Sequence, residues 1–140
     1  MNPLNRVKFI RSVYWLGALA DGAATIAMLL PGQMLSVPQS YLSVATRSAF
    51  AAGAALMLGW TCLLIWAAAE PVARRGILLI TMLPVIPGLA ASMFYGYQHG
   101  CMPLAATVPM WCAQTVVLVL MGIAYHSANR EAVASQSICH

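Results

Sequence analysis

Four long apolar stretches alternate along the chain with short segments that contain prolines, glycines and charged residues. Each stretch is close to the roughly 20 apolar residues that a helix needs to cross the hydrocarbon core of a bilayer. The short segments carry helix-breaking pairs, namely Pro31-Gly32, Glu70-Pro71 and His99-Gly100. The pattern predicts an all-α integral membrane protein, with four transmembrane helices in an up-down-up-down bundle with short loops. The predicted single domain covers residues 1–140, with spans at 13–30, 48–69, 76–97 and 104–125.

Composition favours lipid as the main solvent of this chain. Hydrophobic residues make up 61% of the sequence, charged residues make up 7%, and the mean hydropathy is +0.80. A soluble globular domain has about 25% charged residues, so the predicted location is a plasma or inner membrane, with the bilayer as a partner. The net charge of +4 comes with no basic run interleaved with aromatic residues, which argues against binding to nucleic acid.

The basic residues are distributed unevenly about the four spans. Only Arg47 falls on one side of the predicted membrane, and the other lysine and arginine residues fall on the opposite side. Because basic residues accumulate in cytoplasmic segments, both termini are predicted to be cytoplasmic. The residues on that side are Arg6, Lys8, Arg11, Arg74, Arg75 and Arg130.

Cysteine and histidine positions favour neither a metal site nor a cofactor. The four cysteines contain no C-x-x-C pair. His99 is predicted at the outer face, whereas His126 and His140 are predicted in the cytoplasm, so they do not converge on a haem or a metal ion. The sequence also shows no paired carboxylates and, within the four spans, no Ser or Cys near a His, so it points to no catalytic residues, and an enzyme is the least supported class.

Asp21 is the one charged residue in the first apolar stretch, from Val13 to Leu30. An ionisable side chain at that depth costs about 3 kcal/mol on insertion scales, which makes it a functional candidate by default. Counting 1.5 Å of rise per residue brings polar, helix-breaking and aromatic residues of the other spans near the same depth. The candidates are Trp60, Thr61, Pro84, Pro87, Trp111 and Gln114.

Three interpretations of this midplane set stand side by side, and the third is that it docks a partner protein. In the first, the set forms a ligand or proton site: Asp21 carries a proton or faces a cation, and Gln114 and carbonyls freed by the two prolines form hydrogen bonds. The two tryptophans then form walls that suit a planar or cationic ligand. In the second, the polar side chains form interhelical hydrogen bonds worth about 0.6 kcal/mol each, and the prolines only kink a helix.

Arg47 is the alternative partner of Asp21, and its role depends on where the second helix begins. A start near Ser48 places Arg47 about 13 Å from Asp21 in depth, beyond comfortable side-chain reach. A start near Ser40, with Ser40 as the N-cap, places Arg47 about two turns inside the helix and allows an intramembrane ion pair. The sequence leaves both starts open.

Small residues at three- or four-residue spacing predict close helix packing in the first three spans. These small-residue seams are Gly17, Asp21 and Ala24, then Ala51, Ala55 and Gly59, then Gly88, Ser92 and Gly96. Aromatic residues near the span ends are predicted to lie at the membrane interfaces. They are Tyr14, Trp15, Trp66, Tyr97 and Tyr125.

Two known families have a similar layout. A four-helix chain with one acidic residue in its first helix resembles the small multidrug resistance transporters, which use a membrane-embedded glutamate for proton and cation exchange. Here the acidic residue is Asp21, and this chain of 140 residues is longer than is usual in that family. The layout is also similar to that of small DoxX-like four-helix proteins, a similarity of architecture and not of motif.

The sequence therefore favours a small multi-pass protein that is an accessory or structural subunit of a membrane complex or a homo-oligomer. That class explains the short loops and the lack of a catalytic constellation, and it predicts other membrane subunits or self-association as partners. The alternative is a small transporter or ligand-binding protein that uses Asp21 as a proton or cation site. The alternative explains the midplane carboxylate, the prolines of the third span and the deep tryptophans.

Overall fold

The computed structural model describes residues 3–30, 42–100 and 104–138. These residues form four long helices and the turns beside them, and they include no β-strand. We label the helices α1 (Pro3–Leu29), α2 (Val44–Ala69), α3 (Gly76–Gln98) and α4 (Leu104–Ile138). Each contains a segment that is long and apolar enough to cross a membrane. The prediction of an all-α membrane protein with four spanning helices is confirmed.

Two of the helices extend well beyond their apolar stretches. α1 begins at Pro3 although its apolar stretch begins at Val13, and α4 continues to Ile138, past the predicted end at Tyr125. Both extensions lack an internal glycine or proline, and proline at the first position of α1 suits a helix start. The apolar stretches therefore indicate how much of each helix lies in lipid, whereas the polar extensions continue the helices outside it.

The described residues fall into two compact units. One unit runs from Tyr14 to Trp66 and contains the larger part of α1 and of α2. A Cβ placed on Gly22 would lie 3.9 Å from Thr61 Cγ2, and one placed on Gly53 would lie 3.2 Å from Met28 Sδ. Facing residue numbers rise along α1 and fall along α2, so the two helices are antiparallel. Glycine allows their close approach.

The other unit combines the first turns of α1 with the last residues of α2 and with α3 and α4. Antiparallel packing of α3 and α4 brings Met82 to Gly122 and the Phe94 ring to the Trp111 ring, whose centroids are 6.2 Å apart. Leu78 of α3 and Met121 of α4 are buried in this unit. Buried side chains of the unit therefore lie on both of these helices.

Arg11 stabilises the C-terminal end of α2 within the same unit. Its Nε donates to the carbonyl oxygen of Ala68 at 3.1 Å, and its Nη2 donates to that of Ala69 at 3.4 Å. The last carbonyls of a helix have no donor within the helix, and a cation is favourable at this negative end. A residue that the sequence identified only as a marker of orientation therefore also caps a helix.

α3 contains one π-helical turn, Thr81–Val85. Pro84 lies within this turn and, as a proline, has no N–H to donate to the preceding turn. A π turn bonds each carbonyl to the N–H five residues later, and Ile86 N–H donates to the Thr81 carbonyl in this way. The helix thus continues through the proline, with the carbonyl of Thr81 bonded.

Tyr14 differs from the other predicted interface aromatics. Its side chain is fully buried, whereas Trp15 and Trp66 are about half exposed, at 47% and 54%. The prediction that Tyr14 belongs to an aromatic belt is therefore wrong. Hydropathy gives the depth of a residue but does not show which side of its helix it occupies, and that side decides whether the ring packs or faces the headgroups.

Candidate functional site

Asp21 lies on α1 in the unit from Tyr14 to Trp66, and it is partly buried. Its backbone carbonyl accepts a hydrogen bond from Thr25 Oγ1 at 2.9 Å. No described residue forms a hydrogen bond or an ion pair with its carboxylate. Within the described part of the chain, Asp21 is therefore an ionisable side chain inside a membrane span whose carboxylate has no polar partner.

The start of α2 lies between the two positions that the sequence left open. Ser43 is the N-cap, because its Oγ accepts a hydrogen bond from Thr46 N–H at 3.0 Å, and the helix begins at Val44. Ser40 lies outside the described residues. Arg47 is in the first turn, where its N–H donates to the Ser43 carbonyl at 3.1 Å. Since the Asp21 carboxylate pairs with no described residue, the Arg47–Asp21 ion pair is not formed in this structure.

Trp60 and Thr61 lie on α2 in the same unit as Asp21. The Thr61 hydroxyl donates to the carbonyl of Met57 at 2.9 Å, so its proton serves its own helix. Trp60 differs, because its Nε1 is buried and has no acceptor among the described residues. A buried donor without a partner costs about 1 to 3 kcal/mol. This unit therefore contains an unused donor, at Trp60, and an unused acceptor, at Asp21.

The other candidates lie on α3 and α4. The second half of α3 and the facing part of α4 form an open groove of about 440 Å³. Its walls are apolar and aromatic, with the amide of Gln114 as the principal polar group. We call this the α3–α4 groove, and it is lined by Ile86, Pro87, Ala90, Ala91, Phe94, Trp111, Gln114, Thr115 and Leu118.

Gln114 is only partly satisfied in this groove. Its Nε2 contacts Met93 Sδ at 3.5 Å, which is a weak interaction because a thioether is a poor acceptor. Its Oε1 is buried and has no donor among the described residues. Rotation about the terminal bond of a glutamine side chain has a low energy barrier, so Oε1 can turn toward the groove. A molecule that brings a hydrogen-bond donor into the groove would then give Oε1 the partner that it lacks.

Three predicted site residues are thus brought together: Pro87, Trp111 and Gln114 line one groove. Pro84 lies on the same helix but is exposed and does not line it. Asp21, Trp60 and Thr61 belong to the other compact unit, where each is described above. The assignment of these residues to one ligand site stays a prediction.

Sequence reasoning missed Phe94 and Met93, which contact Trp111 and Gln114. The short connection after Gly100, whose φ of +68° is a conformation that glycine adopts without steric cost, predicts that α3 and α4 are antiparallel neighbours. It does not fix the register of the two helices, so the sequence carried no signal that would match Phe94 with Trp111 or Met93 with Gln114.

The described residues contain no group of three His, Cys, Asp or Glu side chains that could hold a metal ion. Cys101, Cys139 and His140 lie outside the described residues.

Comparison with protein-family models, with curated proteins and with solved structures finds no match. The α3–α4 groove has apolar and aromatic walls, and its one amide, of Gln114, can accept or donate a hydrogen bond.

Proposed function

We propose that this membrane protein is an accessory or structural subunit that assembles through its helices with other membrane-protein chains or with copies of itself. The observation that carries the proposal is the exposure of two small-residue seams. In a bilayer, helices associate through close packing of small residues, because lipid tails are as apolar as leucine and give no hydrophobic drive.

The first exposed seam is on α2. Ala51, Ala55 and Gly59 are all exposed, and a Cβ placed on Gly59 would have no neighbouring atom within 4 Å. The buried residues of α2, such as Leu64 and Ala68, lie on the other side of the helix. The sequence pattern that predicts close packing is therefore present, and among the described residues this seam stays exposed.

The second exposed seam is on α3. Gly88 and Ser92 are exposed, Gly96 is partly exposed, and a Cβ placed on Gly88 would also meet no atom within 4 Å. By contrast, Gly17 of the α1 seam is buried. In α2, α3 and α4, 17% of the residues in the most apolar window are buried, so each helix has a large surface for lipid or for partner helices.

Filling the α2 seam with a larger side chain is expected to weaken the association of this protein with its partner helices about tenfold. In Ala55→Leu, the larger side chain would hold a partner helix away from the backbone and remove the close contacts that small residues allow. The measurement is native mass spectrometry of the protein extracted in mild detergent, which gives the stoichiometry of self-assembly and of any co-extracted subunit.

Ala49→Leu is the matched control for this experiment. Ala49 is exposed on the same helix, but it lies roughly 120° from Ala55 around the axis. The proposal requires Ala49→Leu to keep the wild-type assembly. A monomeric wild type with no co-extracted chain would contradict it, and so would equal losses in the two variants.

The orientation of the protein is part of this proposal. The basic residues Arg6, Lys8, Arg11 and Arg130 lie on the terminal extensions of α1 and α4, outside or at the edge of the apolar stretches. Because such residues accumulate on the cytoplasmic side, they support our proposal that both termini are cytoplasmic and that the protein lies in a plasma or inner membrane.

A second candidate function is binding or transport of a small apolar or planar molecule. The α3–α4 groove favours it, because a volume of about 440 Å³ is in the range of ligand pockets, and apolar walls with few polar groups are typical of them. Asp21 would then serve as the proton or cation site in its own unit. This candidate requires a ligand that brings a hydrogen-bond donor to the unpaired Oε1 of Gln114.

Gln114→Leu is expected to lower the occupancy of such a ligand about fivefold, because the groove loses its one amide while its apolar walls stay. Native mass spectrometry of the extracted protein measures the adduct directly. Gln98→Leu is the control, since Gln98 is exposed at the end of α3 and lies outside the groove. The second candidate fails if no small-molecule adduct is found on the wild type, or if Gln98→Leu lowers it equally.

A further inference from the structure

A second, smaller cleft lies where the first turns of α1 meet the last turns of α4. It has a volume of about 270 Å³ and is lined by Arg6, Phe9, Ile123, His126, Ser127 and Arg130. Spacings of three and four residues place these side chains on one face of each helix. All of them belong to the same compact unit. We call this the α1–α4 cleft.

Both walls of the cleft change from basic to apolar in the same direction. On α1, Phe9 lies about one turn closer than Arg6 to the apolar part of the helix. On α4, Ile123 lies about two turns closer than Arg130 to the apolar part of that helix. The cleft therefore has a basic outer half and an apolar inner half, and this is the polarity profile of a membrane lipid at the headgroup boundary.

An ion pair within the protein holds one side of the outer half in place. Arg6 Nη1 donates to Glu131 Oε1 at 3.0 Å, in a pair that is partly buried. A guanidinium has five N–H donors, so this bond leaves Arg6 other donors for a ligand. The carboxylate of Glu131 offsets the charge of Arg6 while fixing its position at the mouth of the cleft.

The other polar groups of the outer half are available to a ligand. The side chains of His126, Ser127 and Arg130 form no hydrogen bond or ion pair with any residue in the described part of the chain. With Arg6 and Glu131 offsetting each other, Arg130 leaves the cleft with one excess positive charge. Next to it, a cavity of about 320 Å³ shares His126 and Arg130 and provides further room for a headgroup.

We propose that the α1–α4 cleft binds one anionic phospholipid. The lipid phosphate lies between Arg6 and Arg130, within reach of the Ser127 hydroxyl, and the first carbons of an acyl chain lie against Phe9 and Ile123. Arginine is well suited to a phosphate because its planar donors bind two oxygens at once. The excess positive charge selects an anionic lipid over one with a cationic choline group, and the apolar inner half selects a lipid over a soluble phosphate.

The test is native mass spectrometry of the full chain in mild detergent, titrated separately with phosphatidylglycerol, phosphatidylcholine and glycerol phosphate. Arg130→Gln is expected to weaken the binding of phosphatidylglycerol about fivefold, in line with the contribution of one basic residue near an anionic membrane surface. Arg130 is exposed and contacts no described residue through a polar bond, so this variant keeps the internal contacts of the protein.

Two further variants test whether the lipid is bound by the cleft itself or attracted by basic residues elsewhere on the protein. Arg75→Gln removes the same charge from the same predicted side of the membrane, but Arg75 lies outside the cleft and donates to the Val72 carbonyl at 3.2 Å. It should bind phosphatidylglycerol like the wild type. Ile123→Trp fills the inner half of the cleft and should weaken the binding of phosphatidylglycerol about as much as Arg130→Gln does. The melting temperature checks that this variant is folded.

Three results would overturn the proposal. Equal weakening by Arg75→Gln and Arg130→Gln would mean that diffuse positive charge attracts the lipid. Equal affinities for phosphatidylglycerol and phosphatidylcholine would mean that the charge of the headgroup is not recognised. Glycerol phosphate that binds as tightly as the lipid, with no effect of Ile123→Trp, would identify a site for soluble phosphate instead.

Discussion

Replacing Asp21 by leucine is expected to lower the free energy of inserting α1 into a membrane by about 3 to 4 kcal/mol. An aspartate at the centre of a span costs about 2.5 to 3.5 kcal/mol on the insertion scale, and a leucine contributes about −0.3 to −0.6 kcal/mol. The folded protein should tolerate the change, because no described residue pairs with the Asp21 carboxylate. Insertion of α1 in a translocon assay should therefore rise, whereas the melting temperature of the full chain should stay at or above that of the wild type, since the unfolded reference is also in lipid.

Asp21→Asn and Thr25→Val complete this experiment. The asparagine keeps the size of the side chain and removes the charge, so it should recover part of the gain. Thr25 is buried and its hydroxyl donates to the Asp21 backbone carbonyl, so Thr25→Val tests that backbone contact without changing a charge. If Asp21→Leu instead lowers the melting temperature while easing insertion, the carboxylate has a stabilising partner beyond the described residues or in another chain.

The second large effect is expected from Leu78→Ala, which should destabilise the folded protein by about 2 kcal/mol. Leu78 is fully buried near the start of α3. In a water-soluble protein, a buried Leu→Ala change costs about 2.7 to 5 kcal/mol, which combines a transfer term with a cavity term. In lipid the transfer term is small, because the unfolded reference is also apolar, so the cavity term and the lost van der Waals contacts dominate.

Leu79→Ala is the internal control for that prediction. Leu79 is the next residue of the same helix and is 37% exposed, so lipid can fill the space that its truncation leaves. We expect a loss below about 0.5 kcal/mol for it. Unfolding both variants by titration with sodium dodecyl sulfate, followed by circular dichroism, measures the difference. Equal losses would show that α3 is not packed around Leu78 as the structure has it.

The spanning helices could be predicted from sequence because the length and polarity of a span are set by the bilayer. The ends of α1 and α4 could not, because their polar extensions have no apolar signal, and helix propensity continues them past the membrane boundary. The start of α2 depends on one side-chain contact, from Thr46 N–H to Ser43 Oγ. Several serines in this segment could each form a cap of this kind, which is why the sequence left two starts open.

The inner and outer faces of the helices were the hardest feature to predict. In a soluble protein, hydrophobicity distinguishes the buried face, but in lipid both faces are apolar. This is why the sequence did not reveal that the seam at Ala51, Ala55 and Gly59 is exposed and that Tyr14 is buried. Depth alone identified Pro87, Trp111 and Gln114 as candidates, and the structure shows that they share a groove. Depth does not decide which helices pair, so the assignment of Asp21 to the same site stays a prediction.

The π turn at Thr81–Val85 sets the rotation of the second half of α3 about its own axis. A π turn is equivalent to one residue inserted into an α-helix, and one residue corresponds to a rotation of about 100° around the helix axis. Everything from Ile86 onward is therefore turned by about that angle relative to an uninterrupted helix. A variant of α3 with one residue removed from this turn would therefore present a different side to α4, with Pro87 and Phe94 directed away from the groove that they line.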